Sequence, residues 1–118
     1  MIKALVTGGA GFIGSNIVDK LISLGYEVTC IDNEFADNEN FYWNSKAKNV
    51  KADITKYDEI KEYFHLVDYV FHLAAESRIG PAIQNPSKAA EINILGTCIV
   101  LQCARENKVK RVIYSSTS

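Results

Sequence analysis

Five short apolar stretches separate turns and helical patterns along these 118 residues, and their alternation restricts the fold more than anything else in the chain. The stretches are Ile2–Thr7, Glu27–Asp32, Val50–Ala52, Tyr69–Leu73 and Arg111–Ser115. Strands this apolar need cover on both faces, which is the mark of a parallel sheet. Helical patterns lie between them. Ser15–Leu24 places Ile13, Ile17, Leu21 and Leu24 on one face, and Gly25 suits its stop. Tyr57–Phe64 turns Ile60, Tyr63 and Phe64 inward. Asn85-Pro86-Ser87 opens a long helix to about Asn107, with Asn85 as cap and Pro86 in the first turn. Ala89, Ile92, Gly96, Ile99 and Cys103 form its inner stripe. Strand and helix in alternation, joined by right-handed crossovers, give an α/β doubly wound parallel sheet. The expected strand order is 3-2-1-4-5, in one domain over residues 1–118. Glu34–Asn49 is expected to be a loop or one short helix. Its aromatics Phe41, Tyr42 and Trp43 either shield a sheet edge or line a ligand.

Between the first strand and the first helix lies "VTGGAGFIGSN", with four glycines in seven residues: Gly8, Gly9, Gly11 and Gly14. Glycine in or beside a helix costs about 1 kcal/mol relative to alanine, so the cluster needs a reason. Gly9-Ala10-Gly11-Phe12-Ile13-Gly14 reads as G-x-G-x-x-G, and Gly8, Gly11 and Gly14 read as G-x-x-G-x-x-G. After a strand and before a helix, either pattern lets the backbone approach a pyrophosphate at the positive helix end. The alternative is a tight strand-to-helix turn with no ligand. Asp32 closes the second strand 18 residues after Gly14, near the roughly 20 expected for an acid that accepts hydrogen bonds from a ribose. It would repel a 2′-phosphate, and no arginine follows in Asn33-Glu34-Phe35, so NAD is expected rather than NADP. The competing reading of Asp32 is a solvated residue at a strand end.

Composition removes several function classes. A net charge of −1 creates no field that would draw nucleic acid or anionic lipid. The basic group Arg105, Lys108, Lys110 and Arg111 falls where a helix should end, and there it complements the helix dipole. No run approaches the roughly 20 apolar residues of a membrane helix, and Met1-Ile2-Lys3 does not open a signal peptide. Cys30, Cys98 and Cys103 are odd in number and lack metal spacing. They read as reduced thiols of a cytoplasmic protein, with Cys98 on the polar side.

The motifs taken together resemble the extended short-chain dehydrogenases/reductases, specifically the NAD-dependent nucleotide-sugar epimerases and dehydratases. "TGGAGFIGSN" looks like their cofactor loop, implying contacts to NAD from Gly8, Gly11, Phe12, Ile13 and Gly14, with Asp32 and Asn33 at the ribose. "KADITK" resembles their third-strand end, implying that Asp53 meets the adenine amino group and Ile54 flanks the ring. "FHLAAES" is similar to the fourth-strand motif, in which Leu73, Ala74 and Ala75 run along the cofactor. "NPSKAAEINILGT" implies Asn93 under the nicotinamide half, and "VIYSSTS" implies Ser115 near the ring and Thr117 as the catalytic hydroxyl. The implied fold is Rossmann-type, truncated after strand five.

Some of these residues carry simpler readings as well. His72, inside an apolar strand, reads as a core histidine. Asn93, on an apolar helix face, could instead hold a backbone loop. Arg78, after the fourth strand, suits either a sugar-nucleotide phosphate or the surface.

The family's chemistry also uses a tyrosine acid/base activated by a lysine four residues later. No such pair follows strand five in these residues. Tyr42…Lys46 and Tyr57…Lys61 have the spacing but follow strands two and three, on the adenosine side. The expectation is therefore a cofactor half without turnover of its own: a truncated piece, a shortened gene or one part of a split enzyme. A nucleotide-sugar substrate would need the missing C-terminal half. An edge at strand five and the outward Leu95 and Leu101 imply a homodimer or larger assembly. The alternative function is a non-enzymatic NAD-binding or protein-interaction module of the same descent.

Overall fold

The computed structural model describes residues 1–10, 12–33, 42–73, 87 and 91–114. The strands are β1 (Lys3–Thr7), β2 (Glu27–Asp32), β3 (Lys48–Lys51), β4 (Tyr69–His72) and β5 (Arg111–Tyr114). The helices are α1 (Phe12–Ser23), α2 (Tyr57–Ile60, continued by a 3₁₀ turn Lys61–Phe64) and α3 (Thr97–Glu106, entered through a π-helical segment Glu91–Gly96). The sheet is parallel throughout, in the order β3-β2-β1-β4-β5. This is the expected Rossmann-type sheet.

Period-two alternation divides the core between the two faces of the sheet. Ala4 and Val6 of β1 join Val28 and Cys30 of β2 under Val18 and Leu21 of α1. Leu5 of β1, Ile31 of β2 and Val70 of β4 face the other way, against Ile60, Phe64, Ile99, Val100 and Cys103. Gly96, Ile99 and Cys103 are buried, as the inner stripe requires, while Ala89 and the Ile92 side chain lie outside the described residues. Tyr69 and Phe71 of β4 are only half-buried. The α1 cluster is centred on β1 and β2, so β4 receives partial cover on that face.

α1 differs from expectation in two ways. It starts at Phe12, three residues before the expected Ser15, and its buried stripe is Gly14, Val18 and Leu21, flanked by Ile17 and Ile22. Ile13 and Leu24 are exposed. The cause is close docking at Gly14, where a Cβ would lie 2.0 Å from the carbonyl oxygen of Gly8. That contact turns positions 14, 18 and 21 inward and leaves 13 and 24 at the sides.

Both long helices stop in the same way. Tyr26 N donates to Leu21 O and Gly25 N to Ile22 O, a Schellman motif with Gly25 at φ +89°. In α3, Val109 N donates to Ala104 O and Lys108 N to Arg105 O, with Lys108 at φ +56°.

Candidate functional site

The sheet order places the topological switch point between β1 and β4, where the chain runs left from β1 and returns to its right at β4. Ligands of such sheets bind outside the carboxyl ends of the strands at that point. Gly8, Asp32, Asp53 and Leu73, each named by its motif, follow or end β1, β2, β3 and β4 on this rim.

The glycine loop is held from below and from the side. Gly8, at φ +73°, donates its N–H to Ile31 O at 2.8 Å. Ala10 is fully buried, its N–H donates to Asp32 Oδ2 at 3.0 Å, and its carbonyl accepts from Tyr42 N at 2.9 Å. Asp32 is buried at 8% exposure, so this carboxylate fixes the loop against β2. Two glycines have reasons inside the protein. A Cβ on Gly9 would fall 2.2 Å from Cys30 Sγ, and one on Gly14 would strike the Gly8 carbonyl. The turn thus brings the first turn of α1, the positive end of its dipole, against the end of β1. Burial, then the Asp32 carboxylate, push the Cys30 thiol up to about 12, so it stays protonated under the loop.

At the next strand end, Asp53 Oδ1 accepts from Thr55 N at 2.9 Å and Thr55 Oγ1 at 2.7 Å, a turn that leads into α2. Ile54 is buried and meets the start of α3: a Cβ on Gly96 would lie 2.5 Å from its Cδ1. Leu73 is half-buried, with its N–H 3.0 Å from both Thr7 O and Thr7 Oγ1. Asn93 is half-buried within the π-helical segment, and Asn33 is half-buried beside Asp32. Phe12 begins α1, and Ile13 is 61% exposed at that helix end. Gly11, Ala74, Ala75, Arg78, Ser115 and Thr117 lie outside the described residues.

His72 is a core histidine as expected, but its partners were not legible. Its Nδ1 lies 2.7 Å from Thr7 Oγ1 and its Nε2 lies 2.9 Å from Thr97 Oγ1. Burial pushes it down to about 4, so it is neutral at physiological pH. A buried imidazole needs two partners, and that was the only available signal. The two threonines stand 65 and 25 residues away in sequence.

The Tyr57…Lys61 spacing is not arranged as an acid/base. Tyr57 Oη donates to Glu106 Oε1 at 2.7 Å, and that bond leads the causes raising Tyr57 to about 12, the wrong direction for a proton shuttle. Lys61 Nζ sits 5.5 Å from the Tyr57 ring centroid, over its face. Tyr42 is half-exposed beside the loop. Trp43 packs on the α1 face, consistent with shielding the sheet. A shallow depression of about 300 Å³ lies at the opposite end of the sheet, among Lys3, Glu27 and Lys48, the first residues of their strands. It is remote from the crevice and belongs to no motif.

A family profile described as NAD dependent epimerase/dehydratase matches residues 4–118. The chain belongs to this family. It is similar to a putative UDP-glucose 4-epimerase of Methanocaldococcus jannaschii, 42% identical over 114 residues, which cover 96% of this chain and 37% of that protein. A UDP-glucose 4-epimerase of Thermotoga maritima, solved with UDP-glucose, superposes with a TM-score of 0.92 at 38% identity, covering 98% of this chain and 38% of the other. A Thermus thermophilus UDP-glucose 4-epimerase in complex with NAD superposes at 0.88 and 29% identity, covering 98% and 38%. The chain therefore spans a little over a third of these epimerases. Across that third, the family profile covers β2 to β5 and all of β1 but Lys3, including the glycine turn and the ends of β2 and β4.

Proposed function

We propose that these residues form the NAD-binding N-terminal domain of a nucleotide-sugar epimerase or dehydratase. The observation that carries the reading is the cradle at the end of β1. Gly8 is left-handed, Gly14 admits no Cβ against the Gly8 backbone, a Cβ on Gly9 would displace the Cys30 thiol, and Asp32 clamps the loop from β2. In this reading Gly8, Gly11 and the start of α1 at Phe12, Ile13 and Gly14 receive the pyrophosphate. Asp32 and Asn33 face the adenosine ribose, with Asp53 and Ile54 beside the adenine. Leu73, Ala74 and Ala75 line the cofactor, Asn93 and Ser115 attend its nicotinamide half, and Thr117 supplies a hydroxyl to the sugar. Bound NAD would supply a transient hydride acceptor. The protein's part here is to bind and orient it.

In this reading the acid/base and most of the sugar-nucleotide pocket come from other parts of the family's fold, and these residues alone are expected to turn over no substrate. Three free thiols, two of them buried, suit a reducing cytoplasm. Calorimetric titration with NAD, with NADP as control, tests the reading. Saturable NAD binding that exceeds NADP at equal salt supports it, and absence of binding by a chain shown folded by circular dichroism refutes it. Asp32→Ala should weaken NAD by about tenfold or more, since it removes a charged acceptor and the Ala10 clamp. Epimerisation of UDP-glucose by the pure chain would overturn the expected lack of turnover.

A second reading, an interaction module, draws on the outer face of α3. Ile94, Leu95 and Leu101 are exposed at 67%, 43% and 49%. It is compatible with the first if this face pairs two copies of the chain.

A further inference from the structure

We propose that His72 is a positioning residue for the cofactor crevice, holding the ends of β1 and β4 and the π-helical entry to α3 in one fixed arrangement. The proposal rests on the cofactor reading above. It goes beyond that reading in assigning a role to a residue that lies beneath the crevice and belongs to none of the expected cofactor contacts.

The geometry is that of a three-way tie. Thr7 immediately precedes Gly8, so its placement sets where the glycine turn begins. Its backbone carbonyl and its Oγ1 both take the N–H of Leu73, each at 3.0 Å, and this closes β1 against β4 at the switch point. The same Oγ1 meets His72 Nδ1 at 2.7 Å. The opposite ring nitrogen reaches Thr97 Oγ1 at 2.9 Å, on the first residue of α3 after the π-helical segment. Either neutral tautomer satisfies both contacts, because each hydroxyl can donate or accept. The ring is 1% exposed and stacks on Tyr114 of β5, with centroids 5.5 Å apart and planes 29° from parallel. Its freedom is therefore removed from three sides.

The helix end of the tie is the informative one. A π-helical segment bonds i→i+5 in place of the i→i+4 of an α-helix and is found frequently at functional sites. Here it spans Glu91–Gly96 and contains Asn93. It is pinned at its far end from both sides: Gly96 closes on Ile54, and Thr97 is held by His72. A core phenylalanine could fill the same space but would connect nothing. An imidazole joins two hydroxyls on opposite sides of one ring. It thereby makes the position of the Asn93 turn depend on the end of β1.

The test uses His72→Phe, Thr97→Val and Thr97→Ser in the full chain, with two readouts. NAD affinity by calorimetry is expected to fall about tenfold in His72→Phe and Thr97→Val, and to stay within about twofold of the parent in Thr97→Ser, which keeps the hydroxyl. Amide hydrogen exchange is expected to quicken in Thr97→Val at Gly8–Ala10 and in residues 93–96, with α2 unchanged. Thr97→Val carries the test if His72→Phe fails to fold. Parent-like affinity in folded Thr97→Val, or exchange that quickens uniformly across the sheet, overturns the proposal and leaves His72 a packed core residue. If the parent itself binds no NAD, the cofactor reading fails and exchange alone decides. Local quickening then upholds the tie, and uniform or absent change rejects it.

Discussion

Single residues in this chain do work that their type alone does not reveal. Gly14 is the clearest. In the sequence it is the last glycine of a phosphate-loop pattern, yet in the fold it is also the point where α1 touches the end of β1. Gly14→Ala should destabilise the chain by about 3 kcal/mol or displace the helix, because the obstructing atom is backbone and cannot rotate away. Urea unfolding measures the first outcome, and loss of NAD affinity reports the second. His72 makes a prediction about pH. Its folded value is about 4 against 6.5 for the unfolded chain. Between those values the unfolded chain binds the extra proton, so stability is complete above 6.5 and declines as pH falls toward 4, by up to about 3 kcal/mol. Asp68 and Glu106 follow at lower pH. Asp68 is held below its ordinary value by the Lys3 backbone N–H and then Lys110, and Glu106 by the Tyr57 hydroxyl and then Gln102. Denaturant midpoints at pH 7 and pH 5 should therefore differ in the parent and nearly coincide in His72→Phe. Equal slopes in the two proteins would contradict the assignment.

Among the elements, the two helix stops form an internal comparison. α1 ends on Gly25 and α3 on Lys108, in the same hydrogen-bond pattern and with the same sign of φ. Glycine adopts that conformation without steric penalty, whereas a side chain pays about 1 kcal/mol. Lys108→Gly should accordingly raise stability by about 0.5–1 kcal/mol, and Gly25→Ala should lower it by about as much, although a Cβ at Gly25 would meet no atom within 4 Å. Thermal unfolding of the two variants checks both signs. The sequence marked Gly25 as a stop because glycine announces itself. Lys108 looked only like part of a basic helix end, since its charge hides its backbone role. α1 shows the same limit. Its periodicity placed Ile13 and Leu24 on the buried face, while docking at Gly14 rotated the helix and exposed both.

For the whole molecule, the question is what covers its outer surfaces. β5 pairs with β4 on one side, and Ile113 and Tyr114 are 39% and 51% exposed. Ile94, Leu95 and Leu101 on the α3 side are exposed as well. Exposed strand edges and apolar patches are association surfaces. Light scattering at roughly 100 μM should give a mass above the 13.1 kDa of one chain. A monomer at that concentration would count against association of this chain with itself. No described helix is long and apolar enough to cross a membrane, and no described cluster of His, Cys, Asp or Glu could hold a metal.

The sequence by itself determined the class of fold, the strand order, the glycine turn and the acid at the end of β2. Each of these rests on local pattern: alternation of apolar runs, glycine spacing, and a short distance from Gly14 to Asp32. Only the tertiary structure decided the rotation of α1, the second role of Asp32 as the clamp on Ala10, and the partners of His72. The last two depend on atoms brought together across 22, 25 and 65 residues, and the first on the contact of Gly14 with the Gly8 backbone. Local periodicity contains no record of such distances, because they are set by how closely one backbone can approach another.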